Sequence, residues 1–307
     1  MKEIALAKHR RASSSPIIAF VALARPKQWI KNGLLFAAPT AAGKLFAGNN
    51  FLLALAGAIL FSVAASGLYM INDARDFEND RLHPTKKNRP IAAGLIEPRA
   101  AVVVGSVLIA VAGVLGFTLS IKFALVLIAY LVTTVAYTYY LKNEPVIDIA
   151  IVSFGFLLRS IAGGLATSLP LSVWFLTVAA FGSLFMVTGK RYAEVLEVGE
   201  NAKAHKSVLG VYSAPYLNYV RSLASAVSIT AYGLWTFEGF AIRKGVIFVQ
   251  LSAIPFVVGI LIYALEADKG RAGSPEEVVL SNRRLQLVGA LWLVLVATGV
   301  YYSHFFK

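Results

Sequence analysis

Nine mostly apolar stretches, most of them about twenty residues long, run along this chain. About twenty such residues are what an α-helix needs to cross the hydrocarbon core of a bilayer. They cover 29–43, 51–71, 99–118, 122–141, 147–168, 171–189, 214–237, 246–265 and 285–304. Of the 307 residues, 58% are hydrophobic and 15% charged, against ~45–50% and ~25% in an average soluble domain. One water-soluble core cannot bury that excess, so lipid must solvate much of it. The expectation is an all-α membrane protein of about nine transmembrane helices. The first stretch is the weakest, because Lys31, Asn32 and Pro39 interrupt it, and a start as an interfacial segment near Ile17 is compatible with it. No repeat or linker divides the chain, which reads as a basic tail over 1–24 and one transmembrane domain over 25–307.

Charge gives the orientation. With the N-terminus inside, the inward segments hold 21 Lys and Arg and the outward ones five. Cytoplasmic loops carry such an excess, so the tail with Lys2, Lys8, Arg10 and Arg11 is expected in the cytoplasm. The net charge of +13 also suits an anionic substrate. Nucleic acid is a poor partner, because the basic residues sit in short loops between apolar runs. Cys is absent, which removes disulfides, thiolate metal sites and Cys nucleophiles.

Between the second and third stretches, residues 72–94 read NDARDFENDRLHPTKKNRPIAAG. At roughly 100° per residue, Asn72, Asp73, Asp76 and Asp80 fall within about a quarter turn of one helix face. Carboxylates packed this closely repel one another unless a cation sits among them. Oxygen-only donors favour Mg²⁺, or Mn²⁺, over zinc, and Mg²⁺ commonly completes its shell with substrate phosphates. Asp73, Asp76 and Asp80 are therefore the candidate catalytic and metal-binding residues, with Asn72 beside them. Just downstream, Arg81, His83, Lys86, Lys87 and Arg89 are cationic donors suited to phosphate oxygens. Pro84 and Pro90 force a loop that can fold back over the metal. A solvated juxtamembrane loop explains the cations but explains the acidic stripe poorly.

Other polar residues carry two readings each. Arg159, about twelve residues into the fifth stretch, either contacts substrate phosphate or forms a structural pair, with Asp148 the nearest acid. Lys31 and Asn32 either face the site or, for Lys31, snorkel to the interface. Arg25, Lys27 and Trp29 look like interfacial anchors. Tyr137, Tyr139, Tyr140, Asn143 and Glu144 line an entrance or form an aromatic belt. Gly163 and Gly164 read as close helix packing. Arg221 and Glu238 read as the two ends of the seventh stretch.

These motifs give the sequence a family likeness. NDxxDxxxD with its basic loop and RPIAAG resembles the UbiA superfamily of intramembrane prenyltransferases. RPKQWIKN at 25–32, RSIAGGLAT at 159–167 and FGSLFMVTGKRYAE at 181–194 resemble its branch that transfers a phosphoribosyl group. The likeness implies a helical bundle around a cytoplasm-facing cavity. It also implies a Mg-dependent glycosyltransferase that moves 5-phosphoribosyl from 5-phosphoribosyl 1-diphosphate to a polyprenyl phosphate of the decaprenyl kind, serving arabinan and arabinogalactan precursor synthesis for a cell wall. Ordinary members carry a second acidic motif, DxxxD, after the sixth span. Here GKRYAEVLE offers Lys190, Arg191, Tyr192, Glu194 and Glu197 with no Asp. The loss of an acidic pole and gain of cations suits an extra phosphate, with Lys190, Arg191 and Arg159 as its candidate partners. Prenyl transfer from a prenyl diphosphate to an aromatic acceptor is the alternative, and transport a remote one. A homo-oligomer is compatible with the sequence.

Overall fold

The computed structural model describes residues 16–83, 85–198, 207–238 and 245–305. The tail cations Lys2, Lys8, Arg10 and Arg11, and also Pro84, lie outside them, as does the side chain of Glu238. The described residues are helical and loop segments: α1 (Pro16–Ala24), a 3₁₀ segment (Pro26–Phe36), α2 (Ala37–Ala41), α3 (Asn50–Leu82), α4 (Pro98–Leu119), α5 (Ile121–Tyr139), α6 (Ile147–Ala166), α7 (Val173–Val198), α8 (Ala214–Glu238), α9 (Val246–Leu251), α10 (Ala253–Asp268), α11 (Pro275–Ser281) and α12 (Arg283–Phe305).

Among the described residues, seven helical segments are long and apolar enough to cross a membrane: α3 to α7, α9 with α10 as one, and α12. They match seven of the nine expected stretches. Their outer faces are apolar, as along α4, where Val103, Val107 and Val114 are more than half exposed. A face of that kind needs lipid rather than water. The count differs from nine in two places. α8 has the length, at 25 residues, but Asn218, Arg221, Ser222, Ser225 and Ser228 lower its hydropathy. The stretch 29–43 is no single helix, but the 3₁₀ segment followed by the five-residue α2. The chain forms two compact units, the first built from residues up to Gly33 and from Ala56–Val135, the second from Leu34–Leu55 and Ala136 onward.

In the first unit, the 3₁₀ segment owes its length to α3. Three 3₁₀ residues rise about 6 Å, and four α-helical residues also rise about 6 Å. Trp29 and Asn32, three apart, therefore keep step with Ser66 and Ser62, four apart. The Trp29 indole donates to Ser66 Oγ at 3.0 Å, and Asn32 Nδ2 donates to Ser62 Oγ at 2.8 Å. The N-terminal segment thus runs antiparallel along α3 and delivers Arg25, at φ +52°, beside Tyr69 and Asp73. Helices α3 and α4 approach backbone to backbone at Gly67 and Gly105, where a methyl built on Gly67 lies 2.5 Å from the Gly105 carbonyl oxygen. Such closeness gives lipid-embedded helices dispersion contacts that water would not drive.

In the second unit, which takes α5 only from Ala136, that end of α5 is tied to α6 and α7 by a buried ion network. Arg191 on α7 reaches Asp148 through Nε at 2.7 Å and Nη2 at 3.0 Å, and Glu194 through Nη1 at 2.6 Å. Tyr137 on α5 donates its hydroxyl to Asp148 at 2.8 Å. Before α6, the Val146 N–H donates to Tyr212 Oη at 2.8 Å, fixing a residue at φ +69°; burial raises this phenol above its ordinary pKa, so it stays neutral. Gly163 packs against the Leu35 backbone, in line with its reading as a packing residue. α9 and α10 break at Ser252, whose Oγ shares a hydrogen bond with Tyr232 Oη at 2.6 Å, and Trp292 Nε1 donates to the same phenol at 2.7 Å.

Two outcomes follow from this packing. Gly67→Ala is expected to cost about 1–3 kcal/mol through overpacking, while Gly113→Ala, with nothing within 4 Å of the added methyl, should be neutral or slightly stabilising; thermal melts in detergent compare the two. Arg191→Leu leaves Asp148, at 0% exposure, buried without its cation, a loss of about 3–5 kcal/mol. The double variant with Asp148→Leu should melt closer to the parent than either single change, and a double-mutant cycle checks it.

Candidate functional site

α3 runs 33 residues without a break, about 50 Å, so its last three turns extend past a hydrocarbon core of about 30 Å. They carry Asn72, Asp73, Asp76 and Asp80, as the spacing predicts. A helix C-terminus is the negative end of the peptide dipoles, so acids there call for cations more strongly than acids elsewhere.

Asp73 and Asp80 are 2% and 5% exposed. Arg89 Nη1 donates to Asp73 Oδ1 at 3.0 Å and to Asp80 Oδ2 at 2.8 Å. Arg25 Nη2 donates to the same Asp73 oxygen at 2.5 Å. Two carboxylates seven residues apart thus converge on one cationic nitrogen. Seven residues bring a helix within roughly 20° of the same azimuth, which is why this pair meets. Asp76 lies some 40–60° around the helix from them and is half-buried, as is Asn72.

The loop that returns Arg89 is held at both ends. After α3, His83 Nδ1 accepts N–H groups from Thr85 and Lys86 at 3.3 and 3.4 Å. The 3₁₀ turn Lys86–Asn88 follows, with Lys86 and Lys87 exposed. Arg89 is extended at φ −63°, ψ 143°, the conformation that a following proline favours. Ile91 and Ile96 then bury themselves with Leu23, Met70 and Ala74. Arg81 stays at the rim, its Nε donating to the Ala92 carbonyl at 3.1 Å and its guanidinium over Phe77.

The converging oxygens of Asp73 and Asp80 fit a hard divalent ion, since the donors are oxygens and their present partner is a cation. A cage of three acids is not formed: among the described residues, no group of three or more His, Cys, Asp or Glu side chains stands close enough to hold a metal. The expected set of Asp73, Asp76, Asp80 and Asn72 is therefore a close pair with two neighbours on the same stripe. Waters and phosphate oxygens commonly supply the rest of a Mg²⁺ shell.

Several other expected residues have specific partners. Arg25, read from sequence as an anchor, belongs to the acidic cluster instead; with 48 residues separating it from Asp73, no local pattern could reveal this. Asn32 is buried on Ser62. Lys31, one residue earlier and so about a third of a 3₁₀ turn around, donates to Gln28 Oε1.

In the second unit, Arg191, expected from sequence as a phosphate partner, is 6% exposed and turned into the Asp148 network. Its neighbour Lys190 keeps a looser contact to Glu194 at 3.8 Å, with its side chain 39% exposed. Tyr192 donates to Asp268 Oδ1 at 3.2 Å beneath the Arg221 guanidinium, 4.6 Å from the ring centroid. Arg221 is thus a buried residue two turns inside α8 rather than an end marker. Arg159 is 6% exposed, with Nη1 donating to the Gly155 carbonyl at 2.8 Å. Tyr137, read as part of a belt, is a partner of Asp148, whereas Tyr139 and Tyr140 are exposed.

The chain has known relatives in both sequence and fold. The chain is 42% identical over 280 residues to a decaprenyl-phosphate phosphoribosyltransferase of Mycobacterium tuberculosis, covering 90% of this chain and 92% of that protein. It is 43% identical to the enzyme of the same name from Corynebacterium glutamicum, with coverage of 90% and 85%. In fold it is similar to a UbiA homologue from Archaeoglobus fulgidus, solved with GPP and Mg²⁺, at a TM-score of 0.69 and 18% identity over 92% of this chain and 99% of that one. The UbiA prenyltransferase family matches residues 33–277, and the chain belongs to that family.

Proposed function

We propose that this protein transfers a 5-phosphoribosyl group from 5-phosphoribosyl 1-diphosphate to a polyprenyl phosphate of the decaprenyl kind, with release of diphosphate. The observation that carries the reading is the convergence of Asp73 and Asp80 on one cationic point at the end of a membrane-crossing helix. The loss of the family's second acidic motif, where GKRYAE stands, and the 42% likeness to phosphoribosyltransferases over 90% of the chain support it. An Asp-to-cation exchange disfavours a second Mg²⁺ and favours one more phosphate.

Asp73 and Asp80 would hold the ion, with Asp76 and Asn72 beside them on the same stripe. Bound there, Mg²⁺, or Mn²⁺ in its place, supplies positive charge to the leaving diphosphate. Lys86 and Arg89 take diphosphate charge as the C1–O bond breaks, and Arg81 borders the same loop. The electron pair of that bond leaves with the diphosphate, and an oxygen of the polyprenyl phosphate forms the new bond to C1, from the opposite face and with inversion. This nucleophile is already anionic at neutral pH, so no strong general base is required. Lys190 is the cation we assign to the acceptor phosphate or the ribose 5-phosphate. Arg159 shares that assignment, while Glu194 lies beside Lys190 and Tyr192 follows two residues on. Lys31 and Asn32 act from the N-terminal segment, Asn32 by holding it on α3.

The Lys and Arg distribution, 21 against five, supports an N-terminus and a site on the cytoplasmic face of a bacterial inner membrane, where the soluble donor is made. The product fits the synthesis of arabinan precursors for a cell wall.

Purified protein with labelled phosphoribosyl diphosphate and polyprenyl phosphate should yield phosphoribosylated lipid by mass spectrometry. Labelled prenyl diphosphate with an aromatic acid should yield no product, and the reverse pattern rejects the reading. Asp73→Asn and Asp76→Ala should lower transfer by roughly 10²-fold or more, the scale of losing a main charge-stabilising group, with insertion unchanged. Full activity of both variants at saturating Mg²⁺ contradicts the metal assignment. Lys190→Ala should raise KM for one phosphate substrate more than it lowers kcat.

A further inference from the structure

One nitrogen, Arg89 Nη1, stands where the Asp73 and Asp80 oxygens converge, 3.0 and 2.8 Å away. A divalent ion gripped by the same two oxygens cannot share that position with a guanidinium: both need the same lone pairs and both are positive. We propose that Arg89 is the resident counter-ion of this carboxylate pair, and that it yields its place to a divalent ion as the diphosphate arrives and moves onto the diphosphate oxygens. The proposal rests on the reading above that the pair holds such an ion.

The setting of Arg89 allows that movement. Its side chain is 28% exposed, and it belongs to no helix, lying between the exposed Lys86–Asn88 turn and Pro90. Beyond it, buried Ile91 and Ala92 anchor the loop, so the side chain can swing while its backbone stays near the site. Arg25 reaches the same Asp73 oxygen from the side of Tyr69, so Asp73 keeps one cation during the exchange, and the ion would share that oxygen with Arg25.

Charge explains why ion and diphosphate load together. Asp73 and Asp80 are balanced now by Arg25 and Arg89. Replacing one guanidinium with a doubly charged ion adds one positive charge to the cluster and leaves a free guanidinium beside it, and a diphosphate anion offsets both. The ion-free arrangement therefore taxes ion binding in the absence of donor, in proportion to how fully Arg89 occupies the pair.

The test uses the full chain in lipid nanodiscs with Mn²⁺ alone as the probe, read by loss of the free-ion paramagnetic resonance signal. Arg89→Gln is expected to bind Mn²⁺ roughly tenfold more tightly than the parent, as for a pair that is about 90% occupied. Lys87→Gln, which removes an exposed charge two residues away, should stay within about twofold, since exposed charges are screened. Added inorganic diphosphate should tighten Mn²⁺ binding in the parent more than in Arg89→Gln. Arg89→Lys keeps the charge with a shorter reach, should fall between, and stands in if the Gln variant does not fold. Mn²⁺ affinity in Arg89→Gln equal to or weaker than the parent's overturns the exchange. If the parent binds Mn²⁺ no better than Asp73→Asn with Asp80→Asn, the ion reading itself fails and the exchange with it.

Discussion

Two carboxylates buried at the negative end of a long membrane helix must be matched by positive charge, and the first unit is arranged around that need. Asp73 and Asp80 point the same way because they are seven residues apart, and Asp80 sits in the last turn of α3, where the peptide dipoles concentrate negative potential. Leaving either unpaired there would cost several kcal/mol. The N-terminal segment brings Arg25, and the loop after α3 brings Arg89. Each delivery has its own scaffold. The pitch match of the 3₁₀ segment with α3 seats Trp29 and Asn32 on Ser66 and Ser62. The burial of Ile91 and Ile96 fixes the return of the loop. A cluster so balanced is stable without an ion and still presents converging oxygens to one.

The second unit treats charge differently. Its most basic string hides Arg191 in a network with Asp148, Glu194 and Tyr137, which joins three helices, and leaves Lys190 more accessible. Of two adjacent cations, one is buried in an ion network and the other stays partly exposed beside Glu194. This division explains how a family motif that ordinarily carries carboxylates can change sign here without leaving a buried charge unpaired.

The acidic stripe and the long apolar helices were legible in the sequence because both are periodic and local. A helix repeats its faces, so residues 73 and 80 had to align, and eight of the nine apolar stretches form helices, seven of them long and apolar enough to span. What could not be read was tertiary. Arg25 looks like an interfacial anchor until α3 is seen beside it. The pairing of Arg191 with Asp148, 43 residues away, is invisible until α6 and α7 are seen side by side. The stretch at 29–43 failed as a helix because the spacing of Ser62 and Ser66 on another element favours a 3₁₀ rise. Asp76 shared the predicted face but not the close pair, since a stripe a quarter turn wide is broader than the reach of two carboxylates.

The central claim is that Asp73 and Asp80 together grip a divalent ion that carries a diphosphate. An experimental structure with Mn²⁺ and diphosphate, located by anomalous scattering, tests it most directly. The account predicts one ion with an oxygen of each carboxylate at about 2.1 Å or one water away, as in Mg²⁺-type shells, and diphosphate on its far side. An ion bound elsewhere, with both carboxylates still closed on Arg89, would contradict it.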